Sequence, residues 1–296
     1  AAGRAKFGAA DTFRAFSGGV PTISTDAVAN SVRFAYIAVD DPANQPRVIE
    51  ILFTVTASNQ PFADGLFLTN QARSREGSTN AGDAILDAIV QIQLNEPNVR
   101  IRKGVVTSSN TADVYAPTTV GPVAFTAPGS AGTRWVGTIS SNGLAATPIN
   151  SNVSALDAGD IVTFAVVVEN VGSGPDGAFD VTLRDTLPAG FVAPADPTAL
   201  NLRVTDGAGT PLAFTDLGGG PFVGGGGLFG NGLVLVDPAV DQGALRASSP
   251  TAGTNIAVIT YDLVLASGVG ANQALTNTAT LTNYAGTEGG PDFTAV

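Results

Sequence analysis

GDIVTFAVVVENVGSGPDGAFDVTLRDTLPAG, residues 159–190, is the stretch on which the fold turns. Ile161, Thr163, Ala165, Val167 and Glu169 alternate with Val162, Phe164, Val166 and Val168. That period of two predicts a strand over 161–169 with one clearly apolar face. Asn170-Val171-Gly172 through Gly177 supplies turn residues, and a second strand over 178–184 runs out into Thr186-Leu187-Pro188-Ala189-Gly190. Far downstream, LTNTATLT at residues 275–282 answers this pair with a third strand.

The three pieces GD-x-VTF-x-V-x-V-x-N-x-G, V-x-L-x-DTLPAG and LTNTA-x-L stand in this order along the chain. Together they resemble the DUF11 family of repeated Ig-like β-sandwich domains, found in large bacterial and archaeal cell-surface proteins. The resemblance covers roughly residues 98–290. It implies an all-β fold of tandem Ig-like β-sandwich domains and a place outside the cell, and it implies no reaction. Its motif residues here are Gly159, Asp160, Asn170, Gly172, Asp185, Leu187, Pro188, Gly190, Leu275, Thr276 and Asn277. All are read as structural markers of where a sandwich starts.

Composition agrees with many short strands. The 296 residues include 36 Gly and 18 Pro, which suits turns and disfavours helices. Charged residues make up only 13%, too few for a disordered chain, and 44% apolar residues suffice for a sizeable core. The net charge of −11 argues against nucleic acid, whose binders need a basic footprint. There is no Cys, His or Met. Disulfides, zinc–thiolate sites and any Ser–His or Cys–His catalytic pair are therefore excluded. Abundant Asp leaves a paired-carboxylate hydrolase formally open, but nothing in the sequence places two acids at a cleft. The lack of all three residue types is similar to the composition of S-layer and related surface proteins. No run of 18 apolar residues is present to span a membrane as a helix, and no signal peptide is visible at Ala1. The missing initiator predicts a processed chain or a window of a longer one.

A weak internal repeat organises the chain. IEILFTVTA at 49–57 reads like AVITYDLVL at 257–265, and GLFLTNQA at 65–72 reads like QALTNTA at 273–279. The boundary is expected at Asn95-Glu96-Pro97-Asn98. It divides a first β-sandwich domain over 1–96, the later part of one repeat, from a larger DUF11-like domain over 97–296. Strands are expected near 32–39, 48–57, 66–73, 85–94, 99–107, 134–139, 161–169, 178–184, 200–205, 232–236, 256–265 and 275–283. Residues 83–91 also admit a short helix, and residues 206–231 read as loop.

Candidate chemistry is sparse. Gly159-Asp160 is expected to be a turn, with Asp157 and Asp176 as alternative calcium ligands. Asp185 reads as an Asx-type turn anchor. Asp40 with Asp41, and Asp237 with Asp241, follow strands at matching places in the two copies and are the best calcium candidates. Calcium takes six to eight oxygens, which loops at sandwich ends can supply. No D-x-D-x-D-G loop accompanies them. The bases of Arg100-Ile101-Arg102-Lys103 read as one strand face, either solvated or touching an acidic neighbour or an envelope glycan. The glycines over 218–227 lack a G-K-[ST] ending and form no phosphate loop. An intramolecular Lys–Asn isopeptide bond, as in some Ig-like surface domains, needs Lys, Asn and an acid buried together. With only Lys6 and Lys103 available it is disfavoured. Asn152-Val153-Ser154 is a lone glycosylation sequon, and Trp135 and Phe164 read as core residues.

The expected function is structural and non-enzymatic: an extracellular protein of a prokaryotic cell surface that self-assembles into a surface layer, sheath or fibre. Its partners would be copies of itself, joined by strand addition at an open sheet edge, and envelope glycans. The alternative is an adhesin stalk or carbohydrate-binding surface module.

Overall fold

The computed structural model describes residues 3–7, 14–15, 22–35, 49–54, 60–61, 63–78, 81–192, 197–218 and 227–294. The chain divides into two units, residues 1–58 and 59–296. Nearly all regular structure in both is antiparallel β. Among the described residues no helix is long and apolar enough to cross a membrane.

In the first unit, β1 (Gly3–Phe7) pairs with β2 (Arg14–Ala15) on one side and β5 (Ile49–Phe53) on the other. β3 (Thr22–Asp26) and β4 (Ser31–Ala35) form a separate hairpin. Asp26 closes its turn by accepting the backbone N–H groups of Val28 and Ala29 at 2.9 and 3.0 Å.

The second unit begins with a long hairpin of β6 (Phe67–Ser78) and β7 (Ala81–Gln93). Residues 83–91 are thus strand. The chain continues through β8 (Val99–Ser108), β9 (Val114–Ala116), β10 (Ala124–Phe125), β11 (Trp135–Val136), helix α1 (Ser141–Ala146) and β12 (Asn152–Ser154). The opening stretch then folds as β13 (Ile161–Asn170) and β14 (Phe179–Thr186). After them come β15 (Phe191–Val192), β16 (Arg203–Asp206), β17 (Phe214–Asp216), β18 (Leu233–Leu235), β19 (Ile256–Leu265) and β20 (Thr278–Ala285).

Two sheets share one core. The first has the order β15-β19-β13-β8, with β16 also pairing β19; the second has the order β17-β18-β14-β20. Val162, Phe164, Val166 and Val168 of β13 meet Val181 and Leu183 of β14 and Leu233 and Leu235 of β18. The expected apolar face is therefore the face between the sheets. The opposite face of β13 is buried as well. Ala165 and Val167, with Ile256 and Val258 of β19, lie under Trp135, Ile139, Leu144 and Ile149. That cover comes from the stretch between β10 and β12, which includes α1. The composition gave no expectation of a helix there. Ser140 starts it by accepting the Gly143 N–H at 3.2 Å, and Leu144 is its one buried residue.

Burial on both faces obliges the polar side chains of these strands to find partners. Asp262 of β19 lies opposite Thr163 of β13 and accepts its hydroxyl at 2.6 Å. Arg134 reaches in with its guanidinium, at 3.0 Å from one oxygen of Asp262 and 3.3 Å from the other. Gly129 N–H and Asn201 Nδ2 complete the shell around Asp262.

The proposed internal repeat finds no structural echo in its marker triplet. Leu68-Thr69-Asn70 lies inside β6, paired with β7, whereas Leu275-Thr276-Asn277 precedes β20, which pairs with β14. The strand expected over 134–139 shrinks to two residues, and β17 lies within the expected loop 206–231.

The motif glycines act by different physics. Gly159 turns the chain at φ +92° with open space where a Cβ would be. Gly190 combines φ +99° with the Leu275 side chain 2.9 Å from that position. Gly172 has no room at all: a Cβ would lie 2.3 Å from both Asn98 N and Glu96 O. Gly159→Ala is therefore expected to cost only the left-handed backbone penalty, about 1 kcal/mol. Gly172→Ala must displace the 96–98 backbone and should cost several-fold more, read as the difference in urea midpoints.

Candidate functional site

Two groups of ionisable side chains stand out, one at a loop cluster and one between the sheets. The first gathers Asp180, Asp237 and Glu288, whose carboxylate oxygens all lie within 4.8 Å of one another. Asp180 occupies a left-handed backbone position, φ 54°, early in β14. Asp237 follows β18, and Glu288 follows β20, so neighbouring strand ends bring the three together. Asp237 accepts the Ala244 N–H at 2.6 Å and the Asp180 N–H at 3.0 Å. Asp180 accepts the Gly289 N–H at 2.9 Å. Loss of solvent raises the Asp237 carboxyl, backbone N–H groups pull it back, and the Asp180 charge adds to the rise. Glu288 is raised by desolvation and by the charges of Asp180 and Asp237, and it shares a hydrogen bond with Asp237.

Three carboxylates so placed offer oxygens to a hard cation such as calcium. Asp180 and Asp237 are also satisfied as backbone caps. Of the calcium candidates read from sequence, Asp237 joins this cluster. Asp241 stays outside it, in the exposed turn between Ala239 and Gln242. Asp40 and Asp41 lie outside the described residues. Asp180 and Glu288 escaped sequence reasoning because strand pairing alone makes them neighbours of Asp237.

The second group lies in the core between the sheets. Val99, Ile101, Lys103 and Val105 share one face of β8, and Arg100 and Arg102 share the other. The bases of this strand thus do not form one face. Arg100 turns outward to Glu169 at 2.8 Å, while Lys103 crosses the core to Asp185 of β14. Lys103 Nζ sits 2.6 Å from Asp185 Oδ1 and 2.5 Å from Oδ2. The Tyr261 hydroxyl donates to Asp185 Oδ2 and accepts Asn277 Nδ2 at 2.9 Å. The rings of Phe164 and Tyr261, stacked at 5.5 Å, lie 5.3 and 5.6 Å from Nζ. Burial lowers the Lys103 ammonium to about 8 and raises the Asp185 carboxyl, with the ion pair offsetting each only in part. Burial also holds the Tyr261 phenol well above its usual value.

Asp185 is therefore a core residue inside a strand, not a turn anchor. The rest of the motif divides between turns and packing. Asp160 accepts the Asp157 N–H at 2.6 Å and Asn110 Nδ2 at 2.7 Å, an arrangement of the turn before β13. Asn170 is buried; it accepts the N–H groups of Asn98 and Gly172 and donates to Arg246 O at 2.9 Å. Leu187 packs against the core, Pro188 is buried, and Thr276 is exposed.

No family model matches this chain, and neither does any curated protein or solved structure.

A raised carboxyl favours the folded state at low pH. The stability Glu288 lends is complete below its unfolded value and is lost as pH rises through the folded one. As pH rises above the ordinary carboxyl range, Glu288→Gln should therefore lose less stability than the native chain. Urea midpoints measured across that rise in chelator test this, and parallel curves would show that the cluster is not electrostatically strained.

Proposed function

We propose that this chain is a structural, non-enzymatic protein of a prokaryotic cell surface. Its all-β architecture would be that of tandem Ig-like β-sandwich domains of the DUF11 type, assembling into a layer, sheath or fibre. The resemblance of residues 159–190 and 275–282, the acidic sulfur-free composition and the all-β fold support this reading. Catalysis is disfavoured because the chain has no His or Cys, and its buried acids serve ion pairs and backbone caps.

The observation that carries self-association is the β6–β7 hairpin. Ile85 and Ile89 project from one face of β7, and Leu86, Val90 and Ile92 from the other, each more than half exposed. Among the described residues the two strands pair only with each other. A two-stranded ribbon is at best marginally stable in water, and its two open edges are templates for further strands. Its base is tied to the sheets through Asp64, which accepts the Glu96 N–H at 2.9 Å and the Ser173 hydroxyl at 2.5 Å. Strand addition by further copies would cover its open edges and widen it into a sheet whose apolar faces can pack together.

The native chain is expected to form large species in sedimentation as concentration rises, and sheets, tubes or fibres in electron micrographs. Leu86→Lys with Val90→Lys, on one face of the hairpin, should keep it monomeric. A native chain that stays monomeric at high concentration overturns self-assembly. Envelope glycans are a second class of partner in this reading.

Calcium at sandwich-end loops belongs to the same reading, with the Asp180, Asp237 and Glu288 cluster as its place. Millimolar calcium should raise the melting temperature over that in chelator, and Asp180→Asn should abolish the rise. Identical melts of the native chain in both conditions would remove calcium from the account.

A further inference from the structure

The core between the sheets holds a reactive set that a structural ion pair alone does not require. Lys103 presents an amine, Asp185 an acid, and Asn277 a primary amide, linked in sequence through the Tyr261 hydroxyl. Asn277 Oδ1 is buried and accepts no hydrogen bond, an uncommon cost for an amide that could have been an apolar residue. The aromatic rings of Phe164 and Tyr261 flank the amine, which is largely buried. We propose that Lys103 and Asn277 join in an intramolecular isopeptide bond, with Asp185 as the proton-transfer group.

The step balances without an oxidant or a cofactor. The neutral amine of Lys103 attacks Cγ of Asn277 as the protonated Asp185 carboxyl supplies a proton to Oδ1. Asp185 then takes the proton shed by Nζ and hands it to Nδ2, and as the Oδ1 hydroxyl collapses back to a carbonyl its proton returns to Asp185. The Nζ–Cγ amide bond forms, the Cγ–Nδ2 bond breaks, and ammonia leaves. Because the Asn277 amide faces the Tyr261 hydroxyl, it must leave that bond and approach Nζ for the step to occur. The environment prepares both partners, since the same burial that lowers the amine to about 8 raises the acid. Tyr261 is a positioning residue: its phenol is held too weakly acidic to replace Asp185 as proton donor.

The bond would tie β8, the first strand of the two-sheet core, to the segment entering β20, its last. A pull on the two ends of that core would then meet a covalent bond before the sheets could part. The bond does not depend on the proposed cell-surface role, because the mass of the purified chain reports it whether or not the protein assembles.

Intact-mass spectrometry of the full chain, unfolded before injection, tests the proposal. The native chain should be lighter than its sequence by one ammonia, and a proteolytic digest should contain the Lys103 and Asn277 peptides joined. Lys103→Ala, Asp185→Ala and Asn277→Ala should each have their full sequence mass, and the last should melt at a lower temperature than the native chain. Asp185→Asn, closest in shape, separates proton transfer from folding: folded by circular dichroism but uncross-linked is the expected result. A native chain at its full sequence mass overturns the proposal. So does a loss of water that persists in Asn277→Ala, which would place the bond at Asp185.

Discussion

The two-sheet core of the second unit hangs on β13 being surrounded. It pairs with β19 on one edge and β8 on the other, and both of its faces are buried. A strand so enclosed must satisfy its whole backbone ladder and leave no polar side chain without a partner. The rest of the architecture reads as the consequence. One face finds its cover in the second sheet. The other cannot reach that sheet, so the irregular chain from β10 to β12 folds over it with Trp135, Ile139, Leu144 and Ile149. Thr163 and Asp262, trapped beneath that cover, recruit Arg134.

The same enclosure explains why charge appears inside an otherwise apolar core. Buried pairs are poor stabilisers compared with well-packed apolar groups, because desolvation offsets most of their attraction. Among the described residues two such pairs lie in the core, Arg134–Asp262 under the outer face and Lys103–Asp185 between the sheets. The first is shared with Thr163, Gly129 and Asn201, leaves Arg134 Nε without a partner, and reads as a fastening for the covering segment. The second combines an amine moved towards neutrality, an acid moved the same way, and an amide with a bare oxygen. That combination is costly as mere scaffolding and coherent as chemistry. The motif residues Asp185 and Asn277, taken for punctuation in the sequence, thereby become members of one pocket.

What could be read in the chain was whatever depends on local periodicity. The alternation over 161–169 and 256–265 announced the two central strands, and the turn residues at 170–177 announced the link to β14. Gly159 and Gly172 both read as turn glycines, but for different reasons: Gly159 takes a left-handed backbone, whereas Gly172 bends with the 96–98 backbone pressed against it. The reading that the bases of Arg100-Ile101-Arg102-Lys103 share one strand face fails for Lys103, because strict alternation sets Lys103 on the face of Ile101 and away from Arg100 and Arg102. Asp185 was misread because a strand that ends in TLPAG invites a turn one residue early. Of the acidic cluster only Asp237 was legible, since Asp180 and Glu288 join it through the pairing of β14 with β18 and β20.

By itself, then, the sequence determined an all-β chain with an acidic surface, without thiol or imidazole chemistry, and with its central strands in place. Those properties follow from composition and from a side-chain period of two, which need no knowledge of neighbours. Only the tertiary structure decided which charged residues went inside and what they met there. That choice depends on sheet order and register, which bring β8, β14 and the entry to β20 around one space. Residues 103, 185 and 277 are remote along the chain, and no local pattern encodes their meeting.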